Sequence, residues 1–142
     1  MGLRLLLVLA ALALALAIGL LWRARNGRFG AVAGDDRLTA RDVGVPLGSA
    51  ATFVQLSSEV CAACRGTAAV LGDLARQTDG VAHVELAAEH RLDLVRRFGV
   101  LRTPTVLVLD PTGTVRGRLS GATTRVQALD ALTHLDAAHA AR

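Results

Sequence analysis

The sequence predicts an α/β domain with a mixed central sheet covered by helices on both faces, preceded by one apolar N-terminal helix. Three observations predict this architecture: strand-type and helix-type patterns alternate after residue 50, a turn sequence joins the last two strands, and the chain starts with an uncharged apolar run. The chain has 142 residues, of which 52% are hydrophobic. This is enough for one domain with its own core and an appendage. We divide the chain into an N-terminal anchor (1–28), a linker (29–49) and a domain (50–142).

The N-terminal apolar run predicts a single-pass transmembrane helix. Residues 5–22 include no charged side chain. As a helix this run spans about 27 Å, close to the ~30 Å hydrocarbon core of a bilayer. Trp22 at its end suits the membrane interface, and a basic flank follows at once. The flank consists of Arg23, Arg25 and Arg28.

Two alternatives explain the same run without a membrane anchor. A cleavable signal peptide would have Arg4 as its basic region and Ala15-Leu16-Ala17 as its cleavage site, but cleavage there would leave an apolar new N-terminus. A buried core helix is disfavoured because Leu and Ala occur on every face, with no polar stripe. A membrane anchor therefore remains the favoured interpretation.

The formal net charge of +4 lies in the anchor. Residues 1–28 carry four arginines and no acidic side chain, and residues 29–142 carry 12 basic and 12 acidic side chains. With only 3% aromatic residues, the domain has neither a basic surface nor stacking platforms for bases, so we predict no nucleic-acid binding. Three arginines follow the apolar run, whereas Arg4 and the α-amino group precede it. The positive-inside rule thus favours a cytoplasmic domain by one charge, with an extracytoplasmic domain as the alternative.

The linker over residues 29–49 is rich in glycine and contains Pro46. This composition predicts a flexible tether. A short turn or helix is expected at Leu38–Val43, with Thr39 as its N-cap.

Four strands and three helices are predicted in the domain. Because Asp110-Pro111-Thr112-Gly113 is a turn sequence, the last two strands should form a hairpin. The first βαβ unit has to be parallel with a right-handed crossover, which makes the sheet mixed. The strands are expected at 52–56, 81–87, 105–109 and 114–120, and the helices at 61–78, 92–98 and 124–139. The inner face of the last helix is expected to carry Val126, Leu129, Leu132 and Leu135.

Cys61 and Cys64 form a Cys-x-x-Cys motif between a predicted strand and the start of a helix. The unpaired N–H groups and the dipole of a helix N-terminus stabilise a thiolate at Cys61. Cys64 follows almost one turn later, near enough to close a disulfide. The Cys61 thiolate can therefore attack a substrate disulfide, and Cys64 can then resolve the mixed disulfide.

Three other interpretations of the cysteines have less support in the sequence. Zinc needs four ligands, and the other candidate pair, His134 and His139, lies about 70 residues further along the chain. A structural disulfide across so short a loop would restrict the unfolded chain very little. Two inert buried thiols would not need to fall at a helix start. A redox pair is therefore favoured, and we predict no metal site.

Residues 50–136 resemble a thioredoxin-family domain. The resemblance rests on the strand Phe53–Leu56 leading into the Cys-x-x-Cys, on the segment Phe98–Thr105, which is similar to the family's segment before its cis-proline, and on Gly121, which matches the glycine after the last strand. It implies a thioredoxin-like fold, a cis bond between Thr103 and Pro104, and binding of an extended substrate segment at these two residues. From spacing alone, Pro104 would be an ordinary proline at the start of a strand.

The sequence departs from the family's pattern around the dithiol. Val60 stands in place of the usual tryptophan and Ala62-Ala63 in place of Gly-Pro, so the redox potential and the direction of electron flow do not transfer. Gln55 occupies the position of the buried aspartate that is thought to take a proton from the resolving thiol, and an amide cannot do this. Glu85, at the companion lysine position, and Glu59 are candidate carboxylates for this proton transfer; the alternative for both is a solvated charge.

The sequence predicts a monomeric, membrane-tethered thiol–disulfide oxidoreductase, a reductase by default. Its partners would be protein thiols and disulfides, an upstream reductant, and the membrane through residues 5–22. No cofactor is implied beyond the redox-active Cys61–Cys64 dithiol. One alternative is a non-catalytic, membrane-anchored binding or assembly module with the same fold. Another is an extracytoplasmic thioredoxin-like protein that serves cytochrome maturation.

Overall fold

The computed structural model describes residues 2–25, 29–32 and 36–140. The side chains of Trp22, Arg23 and Arg25 are not among those described, and Arg28 is not described at all. The predicted interfacial tryptophan and the predicted basic flank therefore lie outside the described part of the chain.

The first helix, α1, covers Gly2–Arg25. Its span Gly2–Leu21 has a mean hydropathy of 2.6, and none of it is buried against the rest of the chain. Full exposure of so apolar a helix excludes the alternative of a core helix, because a core helix would be covered by the domain. Its length and composition fit either a membrane span or a signal sequence.

A five-stranded mixed sheet forms the centre of the domain, within the described residues. The strands are β1 (Phe29–Ala31), β2 (Ala51–Ser57), β3 (Val81–Ala87), β4 (Thr105–Leu109) and β5 (Val115–Ser120). Their order is β1-β5-β4-β2-β3. β2 and β3 are parallel, and the other neighbouring pairs are antiparallel. The predicted βαβ unit and the predicted hairpin of the last two strands are confirmed.

Helices cover both faces of this sheet, as the sequence predicts. They are α2 (Ala40–Val43), α3 (Ala62–Gln77), α4 (Leu92–Arg97) and α5 (Arg125–Ala140), and a 3-10 turn covers Ala88–His90. On one face α3 and α5 pack over Phe53 and Val106, and on the other α2 and α4 pack over Val54 and Leu107. Because both faces are covered, every residue of β2 and β4 is buried, which explains the absence of charged side chains in both strands.

The predicted inner face of α5 is wrong at two positions. Val126 is 76% exposed and Leu129 is 42% exposed, whereas Ala128, Ala131 and Leu135 are buried. Residues three apart drift by about 60° around a helix, so a series of such steps leaves the buried face. The two alanines bring α5 close to the sheet, and they form its core-facing stripe.

The linker is more ordered than the sequence predicts. Instead of a free tether, residues 29–31 form the edge strand β1, which pairs antiparallel with β5 so that Phe29 lies opposite Leu119. The Phe29 ring stacks on the His134 ring at a centroid distance of 5.0 Å. It also occupies the space over Gly117, where an added Cβ would lie 2.2 Å from the ring. A contact with residues almost a hundred positions away therefore holds this segment on the sheet.

The second part of the linker contains the predicted capped helix. The Thr39 N–H donates to Asp42 Oδ2 over 2.6 Å, and the Asp42 N–H donates to Thr39 Oγ1 over 3.4 Å. This reciprocal capping box confirms Thr39 as the N-cap of α2. The hydrogen bonds from Thr39 hold the pKa of Asp42 below its ordinary value. Leu38 and Val43 are buried in the core, so the sheet domain begins well before residue 50.

Candidate redox site

Cys61 is the N-cap residue of α3. β2 ends at Ser57, a short turn follows, and Cys61 has an extended backbone with φ −94° and ψ 102°. The N–H of Cys64 donates to Cys61 Sγ over 3.1 Å. The two sulfur atoms form a disulfide, with Cα atoms 5.2 Å apart. In the reduced protein the same N–H and the helix dipole would stabilise a thiolate at Cys61.

The two cysteines differ in their access to solvent. Cys61 is half-buried, whereas Cys64 is only 1% exposed. Of the two cysteines, Cys61 is therefore the one that another molecule can approach from solvent. Two apolar side chains in the loops next to the motif are almost fully exposed. Val60, directly before Cys61, is 94% exposed, and Leu101, two residues before Thr103, is 96% exposed.

Thr103 and Pro104 lie in the loop that enters β4, and the bond between them is cis, as the family resemblance implies. Pro104 is buried, and its carbonyl accepts a hydrogen bond from the Gly121 N–H over 2.8 Å. Thr103 Oγ1 lies 3.4 Å from Ser58 Oγ, in the turn between β2 and Cys61. The proline loop and the cysteine turn are therefore in direct contact.

Gln55 lies beneath Cys64, fully buried, and its side-chain amide is the centre of a hydrogen-bond network. Three acceptors lie within hydrogen-bond distance of its Nε2 and share its two hydrogens: the Cys64 carbonyl at 2.9 Å, Ser57 Oγ at 2.8 Å and Glu85 Oε1 at 3.2 Å. A carbonyl and a carboxylate only accept, so these contacts fix the orientation of the amide. Gln55 Oε1 then faces His83 Nε2 at 3.2 Å, and that nitrogen must carry the hydrogen.

The two predicted carboxylates have different surroundings. Glu85 is exposed on β3 but joins the network through Gln55, on the face of the sheet that carries Cys64. Glu59 is exposed in the turn before Cys61. The geometry thus connects Glu85 to the cysteine motif through one buried side chain.

His83 is the member of this network that sequence reasoning left without a role. In the parallel register Gln55 lies opposite Glu85, and His83 is two residues earlier on β3. Residues two apart on a strand share a face, so the sequence already indicated that His83 and Glu85 point to the same side of the sheet, and the register shows that this is the side of Gln55. Burial lowers the pKa of His83 below its ordinary 6.5, and the Glu85 carboxylate opposes this only in part.

This pKa shift predicts a pH-dependent contribution to stability. The unfolded chain binds a proton at His83 at a higher pH than the folded domain does, so the contribution is complete above pH 6.5 and is lost as the pH falls through the lower folded pKa. We expect the free energy of unfolding, measured by urea denaturation of the full chain in detergent, to fall less steeply with acidification in His83→Gln. His90→Gln, at an exposed histidine, is the matched control and should keep the original slope.

No group of three or more His, Cys, Asp or Glu side chains within the described part of the chain could hold a metal ion. Of the two histidines considered for zinc, His134 stacks on Phe29, and the His139 side chain lies outside the description.

Known structures share this fold at low sequence identity. Thioredoxin from Fasciola hepatica is 20% identical with a TM-score of 0.53, over 61% of this chain and 82% of its own. Oxidised mitochondrial thioredoxin 3 from Saccharomyces cerevisiae is 17% identical with a TM-score of 0.53, over 59% of this chain and 77% of its own. A mutant thioredoxin from Halobacterium salinarum is 19% identical with a TM-score of 0.53, over 60% of this chain and 74% of its own. No family model and no curated protein sequence matches the chain.

The chain therefore has the thioredoxin fold, with a close cysteine pair at the start of α3. A close cysteine pair at a helix N-terminus is an arrangement suited to thiol–disulfide exchange in general. At 17–20% identity this likeness shows the fold alone.

Proposed function

We propose that this chain is a membrane-tethered protein thiol–disulfide oxidoreductase, with Cys61 as the nucleophile and Cys64 as the resolving thiol. The observation that carries the proposal is the asymmetry of the pair. Cys61 is partly exposed and its Sγ accepts a helix N-terminal N–H, whereas Cys64 is buried. The apolar, fully exposed span Gly2–Leu21 supports the tether.

The proposed reaction moves two electrons from the dithiol to the substrate. The Cys61 thiolate attacks one sulfur of the substrate disulfide, forms a mixed disulfide and releases the other substrate sulfur as a thiolate, which takes up a proton. Cys64 loses its proton and attacks Cys61 Sγ. The Cys61–Cys64 disulfide forms, the mixed disulfide breaks, and the second substrate sulfur leaves as a thiolate. An upstream dithiol then reduces the pair and is itself oxidised.

Substrate binding is assigned to Thr103 and Pro104. Their loop contacts the cysteine turn through Ser58, so an extended segment along the Thr103 backbone would pass the Cys61 sulfur. Such main-chain pairing binds substrates of varied sequence.

Glu85 is proposed as the proton acceptor in the resolving step. Gln55 cannot take a proton, but it holds the Glu85 carboxylate on the face of the sheet that carries Cys64. A positioned base contributes about 100-fold or more to a step that it assists. We expect Glu85→Gln to slow decay of the mixed disulfide by roughly tenfold to 100-fold near neutral pH, and less at alkaline pH, where hydroxide replaces the base.

Quenched-flow measurement of the mixed disulfide would test this assignment. Glu59→Gln is the matched control, since it removes the other predicted carboxylate, which is exposed in the turn before Cys61. Unchanged decay in Glu85→Gln together with slowed decay in Glu59→Gln would transfer the role to Glu59.

Catalysed reduction of insulin tests the overall function. The full chain in nanodiscs should accelerate insulin reduction by dithiothreitol, and the Cys61→Ser/Cys64→Ser double variant should not. Equal rates would favour the non-catalytic binding or assembly module.

The side of the membrane requires a separate test in intact cells. The one-charge excess of arginines after the span favours a cytoplasmic domain, and labelling by a membrane-impermeant thiol reagent would instead place Cys61 outside. An external domain would fit the alternative of cytochrome maturation or secreted-disulfide reduction.

A further inference from the structure

The chain enters the sheet at the end that carries the dithiol. β2 runs towards Cys61, and β5, antiparallel to β4, ends beside the start of β4, where the Gly121 N–H donates to Pro104. β1 is antiparallel to β5, so its first residue, Phe29, lies at this same end, opposite Leu119. We call this end of the sheet the redox end.

The entry point and the dithiol are close across the sheet. Phe29 pairs with Leu119, Leu119 with Val106, and Val106 with Gln55, which donates to the Cys64 carbonyl. Three strand spacings of 4.7–4.9 Å place Phe29 about 14 Å from Gln55.

The connection between the anchor and this entry point is short. α1 ends at Arg25, and β1 begins at Phe29. Four residue steps of chain span at most about 14 Å. Directly after β1, the Val32 N–H donates to the Arg116 carbonyl. Beyond it, the next hydrogen bonds between described linker residues and the sheet lie at the opposite end, from the Val115 N–H to the Asp36 carbonyl and from the Leu38 N–H to the Gly113 carbonyl.

A specific contact fixes the entry point on the sheet. The Phe29 ring lies between the His134 ring and the Cα of Gly117, where a side chain would displace it. Without this contact, only the three-residue pairing of β1 with β5 and the hydrogen bond from the Val32 N–H to the Arg116 carbonyl would hold the described part of the entry segment on the sheet.

On these observations we infer that the redox end faces the bilayer, and that the partner is a membrane-anchored protein whose cysteine pair lies close to the membrane surface. The inference rests on the proposed membrane-tethered oxidoreductase and names its substrate class. The short connection holds the redox end near the bilayer, and a partner in the same membrane meets the dithiol at a raised effective concentration. The exposed apolar side chains Val60 and Leu101 would contact this partner.

Fluorescence quenching measures the orientation without any redox activity. In the Cys61→Ser/Cys64→Ser background, Val60→Cys carries a fluorophore at the redox end, and Asp79→Cys carries it at the opposite end, between α3 and β3. Both positions are exposed. With a nitroxide on the lipid headgroups of the vesicles, we expect strong quenching at position 60 and weak quenching at position 79. Equal or reversed quenching would overturn the orientation, whereas a chain that fails to sediment with vesicles would contradict the tether itself.

Gly117→Val tests the contact that sets this orientation. The valine side chain would expel the Phe29 ring and weaken the pairing of β1 with β5. If β1 leaves the sheet, the free chain between the anchor and the sheet becomes longer and extends towards the hydrogen bond at Asp36. The difference in quenching between positions 60 and 79 should then shrink. A Gly66→Ala chain is the matched control, because an added Cβ at Gly66 meets nothing within 4 Å. An unchanged difference in Gly117→Val would show that β1 does not set the orientation.

The partner class is tested with two anchored probes in the same nanodiscs as the full chain. Each is a transmembrane peptide with one intramolecular disulfide, placed either directly after the membrane span or beyond a long hydrophilic spacer. We expect the membrane-proximal disulfide to be reduced about tenfold faster or more. Equal rates would overturn the inferred partner class while leaving the oxidoreductase intact. Failure to reduce either probe or insulin would contradict the proposed function instead.

Discussion

Cys64→Ser is expected to turn the enzyme into a trap for its substrates. Cys61 retains its helix N-terminal position and still attacks, but the mixed disulfide cannot be resolved from within the protein. Turnover of insulin should fall to the uncatalysed rate, and a covalent complex with the substrate should accumulate to nearly one per chain. Non-reducing electrophoresis of the reaction mixture measures both quantities.

Cys61→Ser is the matched control for this trap. It removes the accessible nucleophile and leaves Cys64, which is 1% exposed, as the remaining thiol. We expect neither turnover nor a covalent complex. Trapping by Cys61→Ser, with none by Cys64→Ser, would reverse the assigned roles.

Gln55→Leu is expected to give the largest loss of stability among substitutions at the site. Leucine has a similar size, but it removes the donor to the Cys64 carbonyl and to Glu85 and the acceptor for His83 Nε2. A buried polar group left without a partner costs about 1–3 kcal/mol, and Glu85 is exposed and can turn to water, so we expect the free energy of unfolding to drop by about 1–3 kcal/mol. Urea denaturation of the full chain in detergent, followed by circular dichroism, measures the change.

Gln77→Leu makes the same chemical change at an exposed position. Gln77 lies at the end of α3, and its Oε1 accepts a hydrogen bond from the exposed Arg125. The cost there should stay within about 0.5 kcal/mol. Equal losses in the two variants would mean that the buried network around Gln55 does not contribute to stability.

Local sequence patterns were sufficient for most of the core elements. The observed limits of β3 and β4 match the predicted ones. β4 is an apolar run that ends at a Pro- and Gly-containing turn, and the start of β3 follows Asp79-Gly80. The start of α3 was predictable from the motif itself, since Cys61 forms the cap and Cys64 the first turn. These features depend on residues close together in the chain.

The features that the sequence did not predict depend on contacts between distant residues. β1 has three residues, one of which is a glycine, so its own sequence does not indicate a strand. The contacts of Phe29 with Gly117 and His134 hold it against the sheet. In α5 the alanines pack against the sheet, although Val126 and Leu129 are the more apolar side chains. The role of His83 required the parallel register of β2 and β3, which brings it to Gln55.

A redox titration of the full chain against glutathione is the most direct test of the central claim, that Cys61 and Cys64 form an exchanging redox pair. We expect a reversible two-electron transition between dithiol and disulfide, with the same midpoint when approached from the oxidised and the reduced side. That transition should be absent in Cys61→Ser. A pair that stays oxidised across the whole range of glutathione ratios, or that gives different midpoints from the two sides, would contradict the claim.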